Sequence, residues 1–230
     1  MLFAVVALLA SNVKQETKES DFAQKKGSEY TTIKLNDRFN NTLKKGNWDS
    51  IYRYDEATFS PVYLGDVKSE IKLIYKPELT GNRMYDWECA WRWKSPSDST
   101  LLITIDTSRV IGYPMGIWEY YKKPEYRRNI MSYPVFLENI SEDTMSVGFG
   151  DVLDLMVENK DENGQWQKML EPFIYDCGTG LGYIYLAPHQ IAVTAMPICE
   201  GSYRTEMRIV FRVSSDQCIY SNVFEDFWNE

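Results

Sequence analysis

The sequence predicts an all-β protein made of antiparallel strands. Three observations support this fold class: the 230 residues include sixteen Tyr and seven Trp, several segments alternate apolar and polar side chains, and turn-forming residues separate these segments. No segment has the pattern of a long helix that crosses over between parallel strands. We therefore expect a β-sandwich in the C-terminal part of the chain, preceded by a smaller β-rich domain.

The clearest strand covers residues 203–213, and Gly201 and Ser202 introduce it. Its odd-numbered side chains, from Tyr203 to Val213, are mostly apolar and are expected to face the core. The charged side chains of the opposite face should form an ordinary solvated surface: Arg204, Glu206, Arg208 and Arg212. This strand carries the assignment of the C-terminal part to the β class.

The C-terminal domain, residues 133–230, contains further short strands separated by turn signals. We expect these strands at residues 133–141, 145–149, 153–157, 183–186, 191–195 and 218–224, with a return strand that opens at Trp166. Asn163 and Gly164 predict a type I′ turn, because both residues adopt positive φ angles readily. Pro188 marks a corner, and residues 214–217 connect a final hairpin. Seven or so short strands at this spacing indicate a sandwich.

A β-meander domain is predicted for residues 47–121. Three segments alternate inward and outward side chains, and the inward residues are Val67, Ser69, Ile71, Leu73 and Tyr75, then Tyr85, Trp87, Cys89, Trp91 and Trp93, then Leu101, Ile103 and Ile105. The second set gives this sheet an aromatic inner face. Residues 122–132 are cationic and lack a clear period, so we interpret them as a linker rather than as a patch that binds anionic lipid or glycan.

The first residues indicate export. Residues 1–11 form an apolar run that is too short to span a bilayer but is typical of a secretory signal peptide. Residues 12–46 are polar and charged, so we expect a flexible tether, with a frayed terminus as the alternative. The protein is therefore expected in the periplasm, at the cell surface or outside the cell, with no integral membrane span.

The acidic balance of the chain argues against one class of partner. The formal net charge is −8, whereas phosphate backbones are recognised by a surplus of Lys and Arg on one face. We therefore expect no nucleic-acid partner, and the charge favours solubility.

The last hundred residues resemble a known group of secreted domains. The resemblance is carried by Phe136 and Asn139, by Asn163-Gly164 with Trp166, by residues 186–190 and by residues 201–203. These residues are similar to those of immunoglobulin-like sandwich domains of bacterial secreted and envelope proteins, including BsuPI-type proteinase inhibitors. The resemblance implies an immunoglobulin-like β-sandwich in which Tyr203 is the tyrosine of the E–F corner. Thr205 stands where antibody-type domains have a Cys, so their disulfide is not expected, and no binding residue is implied.

The four cysteines allow one feasible disulfide. Cys199 and Cys218 are expected at opposite ends of the strand at residues 203–213, which is too far apart for a bridge. Cys177 with Cys199 is the pair that geometry permits, whereas Cys89 is expected to pack as a small hydrophobic residue. None of the cysteine spacings is a zinc pattern, so the sequence predicts neither a metal nor a cofactor.

His189 is the one histidine, so any nucleophilic mechanism that needs an imidazole must use it. Cys177 is its candidate partner, and the glycines at 178, 180 and 182 could form an oxyanion nest. No third group that would orient the imidazole is identifiable, and the corner at residues 187–190 explains His189 as an exposed turn residue. We therefore predict a protein that is not an enzyme, with a weak Cys–His hydrolase as an alternative.

Aromatic residues near the predicted linker provide the binding hypothesis. The residues are Tyr113, Trp118, Tyr120, Tyr121 and Tyr126. Exposed rings there could stack on a glycan or anchor a protein partner, whereas buried rings would fill the junction between the domains. The sequence therefore predicts an exported, non-catalytic binding or assembly protein of the cell envelope. The alternative that the resemblance implies is a proteinase-inhibitor-like module.

Overall fold

The computed structural model describes residues 30, 32–36, 43–47, 59–73, 83–84, 93–115, 128–170 and 181–228. These residues contain eighteen strands and no helical element. In chain order, β1 to β18 are Lys34–Asn36, Gly46–Asn47, Tyr63–Asp66, Glu70–Lys72, Arg83–Met84, Leu101–Ile105, Ile111–Met115, Arg128–Asn139, Met145–Phe149, Val152–Leu153, Leu155–Lys160, Trp166–Leu170, Tyr183–Leu186, Gln190–Pro197, Cys199–Glu200, Tyr203–Arg212, Cys218–Tyr220 and Phe224–Trp228. The predicted all-β class is confirmed. In the same part of the chain, no helix has the length and apolar character needed to cross a membrane.

Most strands belong to three antiparallel sheets. The first main sheet has the order β3-β14-β8-β6, and β7 also pairs with β8. The second main sheet has the order β12-β11-β16-β17, and β18 also pairs with β16. The side sheet has the order β10-β9-β13-β5. Two short pairs are parallel, β1 with β4 and β2 with β15.

One hydrophobic core is shared by the three sheets. Alternate side chains of β6, β9, β13 and β16 enter it, as the period of two in the sequence predicts. Its buried members include Leu101, Ile103, Ile105, Val135 and Leu137 from the first main sheet, Leu155, Val157, Met207, Ile209 and Phe211 from the second, and Met145, Val147, Ile184 and Leu186 from the side sheet. Two sheets that contribute facing apolar surfaces to one core make the fold sandwich-like.

The first main sheet is buried on its other face as well. A second core there contains Val62, Ile111, Tyr113, Phe136, Ile191, Val193 and Ala195 of that sheet and its flanks, with Tyr30, Ile33, Ile71 and Leu73 packed over them. The Tyr30 ring stacks on the Phe136 ring, with centroids 4.4 Å apart. The Tyr30 hydroxyl also donates to the Glu138 carboxylate. Burial on both faces explains why the sequence of β14 is an almost continuous apolar run.

Residues that composition assigned to a flexible tether contribute to this second core. Tyr30 and Ile33 are 3% and 6% exposed, and β1 pairs with β4. Arg109 fastens the segment, because its Nη1 donates to the Ile33 carbonyl at 2.5 Å while its Nε donates to Asp106 at 2.6 Å. For residues 30 and 32–36 the expectation of a mobile tether is thus corrected. Two large apolar side chains dock a segment whose average composition is polar.

Strand pairing joins the chain on both sides of the predicted linker. β6 and β7, from the predicted domain 47–121, pair with β8, and β3 pairs with β14. Residues 128–132, placed in the predicted linker 122–132, lie in β8. Along one edge, β8 pairs with β7 up to Ser132 and with β6 from Val135 onward. Pro134 lies in the gap between these two neighbouring strands. Because Pro lacks an N–H group, this gap is where a long central strand can hold it.

The hairpin predicted at Asn163 and Gly164 is present, but its turn type differs. Gly164 has a φ of 74°, whereas His189 is the one non-glycine residue with positive φ in the described part of the chain. The Gly164 N–H donates to the Asp161 carbonyl at 2.9 Å, and the Asp161 N–H donates to the Gln165 carbonyl at 2.9 Å. This is a type I turn followed by a left-handed glycine rather than a type I′ turn. Asp161 stabilises this turn type, because its Oδ1 accepts the N–H groups of Asn163 and Gln165.

The outer face of β16 is not an ordinary solvated surface at Arg208. The guanidinium carbon lies 4.1 Å from the centre of the Trp166 ring and 3.9 Å from that of Tyr220. Arg208 Nε and Nη2 also donate to Glu158 Oε2 at 2.9 and 2.8 Å. A planar cation between two aromatic rings loses its hydration without losing favourable contacts, so Arg208 is only 8% exposed. Arg204 and Arg212 are exposed, as expected.

Candidate functional site

Four aromatic side chains lie together on the outer side of the side sheet. Phe149 belongs to β9, Tyr183 and Tyr185 belong to β13, and Trp93 precedes the loop that leads to β6. We call these four residues the aromatic face. Trp93 is held there because its neighbour Lys94 forms a bridge with Met145 of β9. All four side chains are half-buried, so the aromatic face combines apolar contact area with partial exposure.

The rings of the aromatic face pack against each other mostly at steep angles. The Trp93 and Tyr183 centroids are 5.9 Å apart with planes at 88°, and the Phe149 and Tyr183 centroids are 5.3 Å apart with planes at 64°. Trp93 and Tyr185 lie 5.5 Å apart at 36°. Aromatic pairs attract at these distances, and edge-to-face arrangements are preferred over face-to-face ones. Phe149, Tyr183 and Tyr185 make further contacts as well.

The layer below the aromatic face is buried and closely packed. Ile184 and Leu186 alternate with the two tyrosines of β13, and both are fully buried in the shared core. Gly148 of β9 permits the close approach of β10, because a Cβ there would lie 2.8 Å from the Cα of Leu153. Three of the four aromatic residues therefore stand on paired strands, which position side chains better than a loop does.

Similarity to known proteins does not identify this surface. Comparisons of the chain with protein-family models, with curated proteins and with solved structures found no match. The resemblance to immunoglobulin-like domains therefore stays a prediction, and the aromatic face is interpreted from its own geometry and chemistry.

Tyr113, one of the predicted binding residues, is buried. Its ring is 2% exposed in the second core. Its hydroxyl accepts the Ser60 N–H at 2.9 Å and donates to the Ser60 carbonyl at 3.1 Å. Burial raises the pKa of Tyr113 to about 12, because the phenolate would lose its hydration. The structure therefore makes Tyr113 a structural residue and corrects its assignment to a binding surface. The other predicted residues, Trp118, Tyr120, Tyr121 and Tyr126, lie outside the described residues.

The predicted disulfide involves one described cysteine. Cys199 is a free thiol with no exposed surface, and Cys218 is a free thiol that is half-buried. Burial raises the pKa of Cys199, and the nearby charge of Asp226 adds to the effect, so the thiol stays protonated and unreactive. Its predicted partner Cys177 lies outside the described residues, but the free Cys199 thiol means that the predicted Cys177–Cys199 disulfide is not formed in this structure.

His189 occupies an exposed corner at one end of the first main sheet. Its φ is 61°, and its Nε2 lies 3.1 Å from the Glu142 carboxylate. The backbone N–H of His189 donates to the Asn139 carbonyl, and Asn139 Nδ2 donates to the carbonyls of Leu186 and Ala187. These bonds hold the corner against the turn after β8, so a structural role accounts for the geometry of His189. The Cys177 of the alternative Cys–His mechanism lies outside the described residues.

Metal ligands do not cluster in the described part of the chain. No group of three or more His, Cys, Asp and Glu side chains there could hold an ion. The Asp161 carboxylate, in the β11–β12 turn, accepts the backbone N–H groups of Asn163 and Gln165.

The aromatic face was not predicted from the sequence, because its residues belong to segments with different expected positions. Trp93 was expected on an inward aromatic surface with Tyr85, Trp87, Cys89 and Trp91, and those four residues lie outside the described part. The residues 183–186 were predicted as a strand, and they form β13. Their alternation was the available signal, since Tyr183 and Tyr185 must face away from the side that buries Ile184 and Leu186.

Proposed function

We propose that this chain is an exported, non-catalytic binding or assembly protein that contacts a protein partner through the aromatic face. The observation that carries the proposal is the grouping of Trp93, Phe149, Tyr183 and Tyr185, each half-buried, on the outer side of one sheet. Trp and Tyr are enriched among the residues that dominate binding energy in protein interfaces. Their rings offer a large contact area that loses little conformational entropy on binding.

The ring geometry favours a protein partner over a glycan. A sugar ring stacks on a flat aromatic surface, whereas the planes of Trp93 and Tyr183 are nearly perpendicular. An uneven surface of ring faces, ring edges and tyrosine hydroxyls suits the irregular shape of protein side chains. A glycan is therefore the less favoured ligand for this surface.

A binding role rather than catalysis is supported by His189. The imidazole that any Cys–His mechanism would need is 61% exposed, at a turn whose backbone hydrogen bond to Asn139 accounts for its position. Export is supported by the apolar run at residues 1–11. Mass spectrometry of the natural protein tests this part separately, because cleavage after an export signal would leave a shortened N-terminus.

Affinity capture from the envelope fraction of the cells that make the protein tests the binding role. The bait proteins are the wild type, a Trp93→Ser/Tyr185→Ser double variant and a Phe227→Ser control, which removes an exposed aromatic ring from β18 (39% exposed). We expect a protein retained by the wild type and the control but lost from the double variant. Retention of the same proteins by all three baits would contradict the proposal. So would a double variant that loses binding to a glycan array while protein capture is unchanged.

A further inference from the structure

Asp226 is a buried carboxylate with an incomplete set of hydrogen bonds. It lies in β18 and is 4% exposed. Its Oδ1 accepts the N–H of the adjacent Phe227 at 2.8 Å, and its Oδ2 has no hydrogen-bond partner. Thr205 is opposite Asp226 in the sheet, but its hydroxyl donates to the Lys160 carbonyl at 2.6 Å. A buried carboxylate oxygen without a donor is most costly while the group is charged.

The groups that face Asp226 do not neutralise it. Tyr133 of β8 and Cys199 of β15 are near enough for the charge of Asp226 to raise the pKa of each. Lys45, which precedes β2, partly offsets the charge, but its ammonium group is exposed and lies 5.8 Å from the Phe227 ring centre. Arg204 of β16 is paired with Glu225 at 2.6 Å. Two neutral acids and one exposed cation leave the charged form of Asp226 poorly compensated.

The surroundings of Asp226 connect the C-terminal strand to the rest of the fold. β18 pairs with the first half of β16 and contacts β15. Gly201, just after β15, packs directly on the backbone of Trp228, since a Cβ at Gly201 would lie 2.6 Å from the Trp228 nitrogen. The charge on Asp226 therefore acts at the place where β18 docks.

We propose that Asp226 makes β18 a pH-sensitive latch, which docks more tightly when the carboxyl group is protonated. Protonation removes the buried charge and gives the unpartnered side of the group a hydroxyl that can donate. Ionisation favours states in which β18 is undocked and the carboxylate is hydrated.

The direction and size of the effect follow from the titration of Asp226. Burial is the main reason that the pKa of Asp226 rises from 3.8 to about 6, against the opposing effects of the Phe227 N–H and Lys45. A carboxyl group whose pKa is raised in the folded state stabilises that state fully below its unfolded value. This contribution is lost as pH rises through the folded pKa. The ratio of undocked to docked β18 should therefore increase roughly 50-fold between about pH 4 and pH 7, since each pKa unit corresponds to a factor of ten and the hydrated carboxyl group is already partly ionised at pH 4.

Hydrogen exchange measured by mass spectrometry tests the latch in the full chain. Protection factors of the amides at 224–228, corrected for the intrinsic pH dependence of exchange, are compared between about pH 4 and pH 7.5. We expect wild-type protection to fall roughly 50-fold. Asp226→Asn should remove most of this dependence, whereas Glu225→Gln, at an exposed acid on the same strand, should retain it. A carbon-detected NMR titration of the wild type gives an independent reading, with a midpoint near 6 expected for Asp226.

Three results would overturn the proposal. If the hydrogen-exchange protection of the wild-type amides at 224–228 does not change with pH, β18 is not a pH-sensitive latch. A midpoint near 4 for Asp226 would also rule out the latch, whether or not Asp226→Asn folds. Protection of β18 equal to that of β14 at about pH 7.5 would show that β18 does not undock separately from the core.

Discussion

Asn222 binds the backbone of Ile105 as a neighbouring strand would. Its Oδ1 accepts the Ile105 N–H at 2.9 Å, and its Nδ2 donates to the Ile105 carbonyl at 3.1 Å. Ile105 ends β6 of the first main sheet, and Asn222 lies between β17 and β18 of the second. One side chain therefore supplies both hydrogen bonds of a ladder position and ties the two main sheets together.

Replacing Asn222 with Asp should weaken this tie. A carboxylate cannot donate to the Ile105 carbonyl, so we expect the free energy of unfolding to fall by about 2 kcal/mol at neutral pH. The introduced carboxyl group should have a raised folded pKa, so the loss should shrink as pH falls through that value and the protonated form donates again. Equilibrium urea unfolding at several pH values measures both effects. Asn163→Asp, in an exposed turn, should change the stability by less than about 0.5 kcal/mol, and equal losses in the two variants would contradict the role of Asn222.

Arg208 should be sensitive to a substitution that preserves its charge. Arg208→Lys loses the planar group that lies between Trp166 and Tyr220, and it also loses one of the two contacts to Glu158. We expect a loss of about 1 to 2 kcal/mol in the free energy of unfolding. The matched control is Arg204→Lys, because Arg204 is exposed and surface ion pairs contribute little. If both variants unfold at the same urea concentration, the stacked arrangement does not stabilise the fold.

The Tyr113→Phe variant tests whether Tyr113, one of the residues predicted to bind a partner, stabilises the fold instead. Loss of the hydroxyl leaves the buried Ser60 N–H without its partner, so we expect a loss of about 1 to 3 kcal/mol in stability and unchanged capture of the partner. Because the pKa of Tyr113 is raised to about 12, its stabilising contribution is complete below pH 10 and disappears as pH approaches 12. Spectrophotometric titration should show that the variant lacks a tyrosine titrating near 12. A reduced amplitude near pH 10 instead would contradict the buried hydrogen-bonded site.

Strand positions were largely predictable because one face of each strand is buried. The predicted segment 183–186 is β13, and Met207, Ile209 and Phe211 of β16 are buried as their alternation predicts. The hairpin between β16 and β17 has the predicted connection, since the Val213 N–H donates to the Gln217 carbonyl. Local alternation and turn residues contain this information.

Long-range pairing was not predictable from those local patterns. Pro134 lies within a strand of twelve residues. The strand can contain it because the gap between β6 and β7 lies beside it, and no local sequence pattern predicts that gap. The burial of Arg208 likewise depends on two rings contributed by strands that are distant in the sequence. Tyr30 and Ile33 were assigned to a tether because composition does not reveal which few side chains will dock.

Site-specific photo-crosslinking tests the proposed binding surface most directly. Benzoylphenylalanine is introduced at Tyr185 of the aromatic face and, as a control, at Asp216 in the exposed loop after β16. Cells that make each variant are irradiated, and the adducts are identified by mass spectrometry. We predict a protein adduct of one discrete mass from position 185, lost when Trp93 is changed to Ser, and no such adduct from position 216. The absence of an adduct at 185, or the same adduct from both positions, would contradict a partner-binding role for the aromatic face.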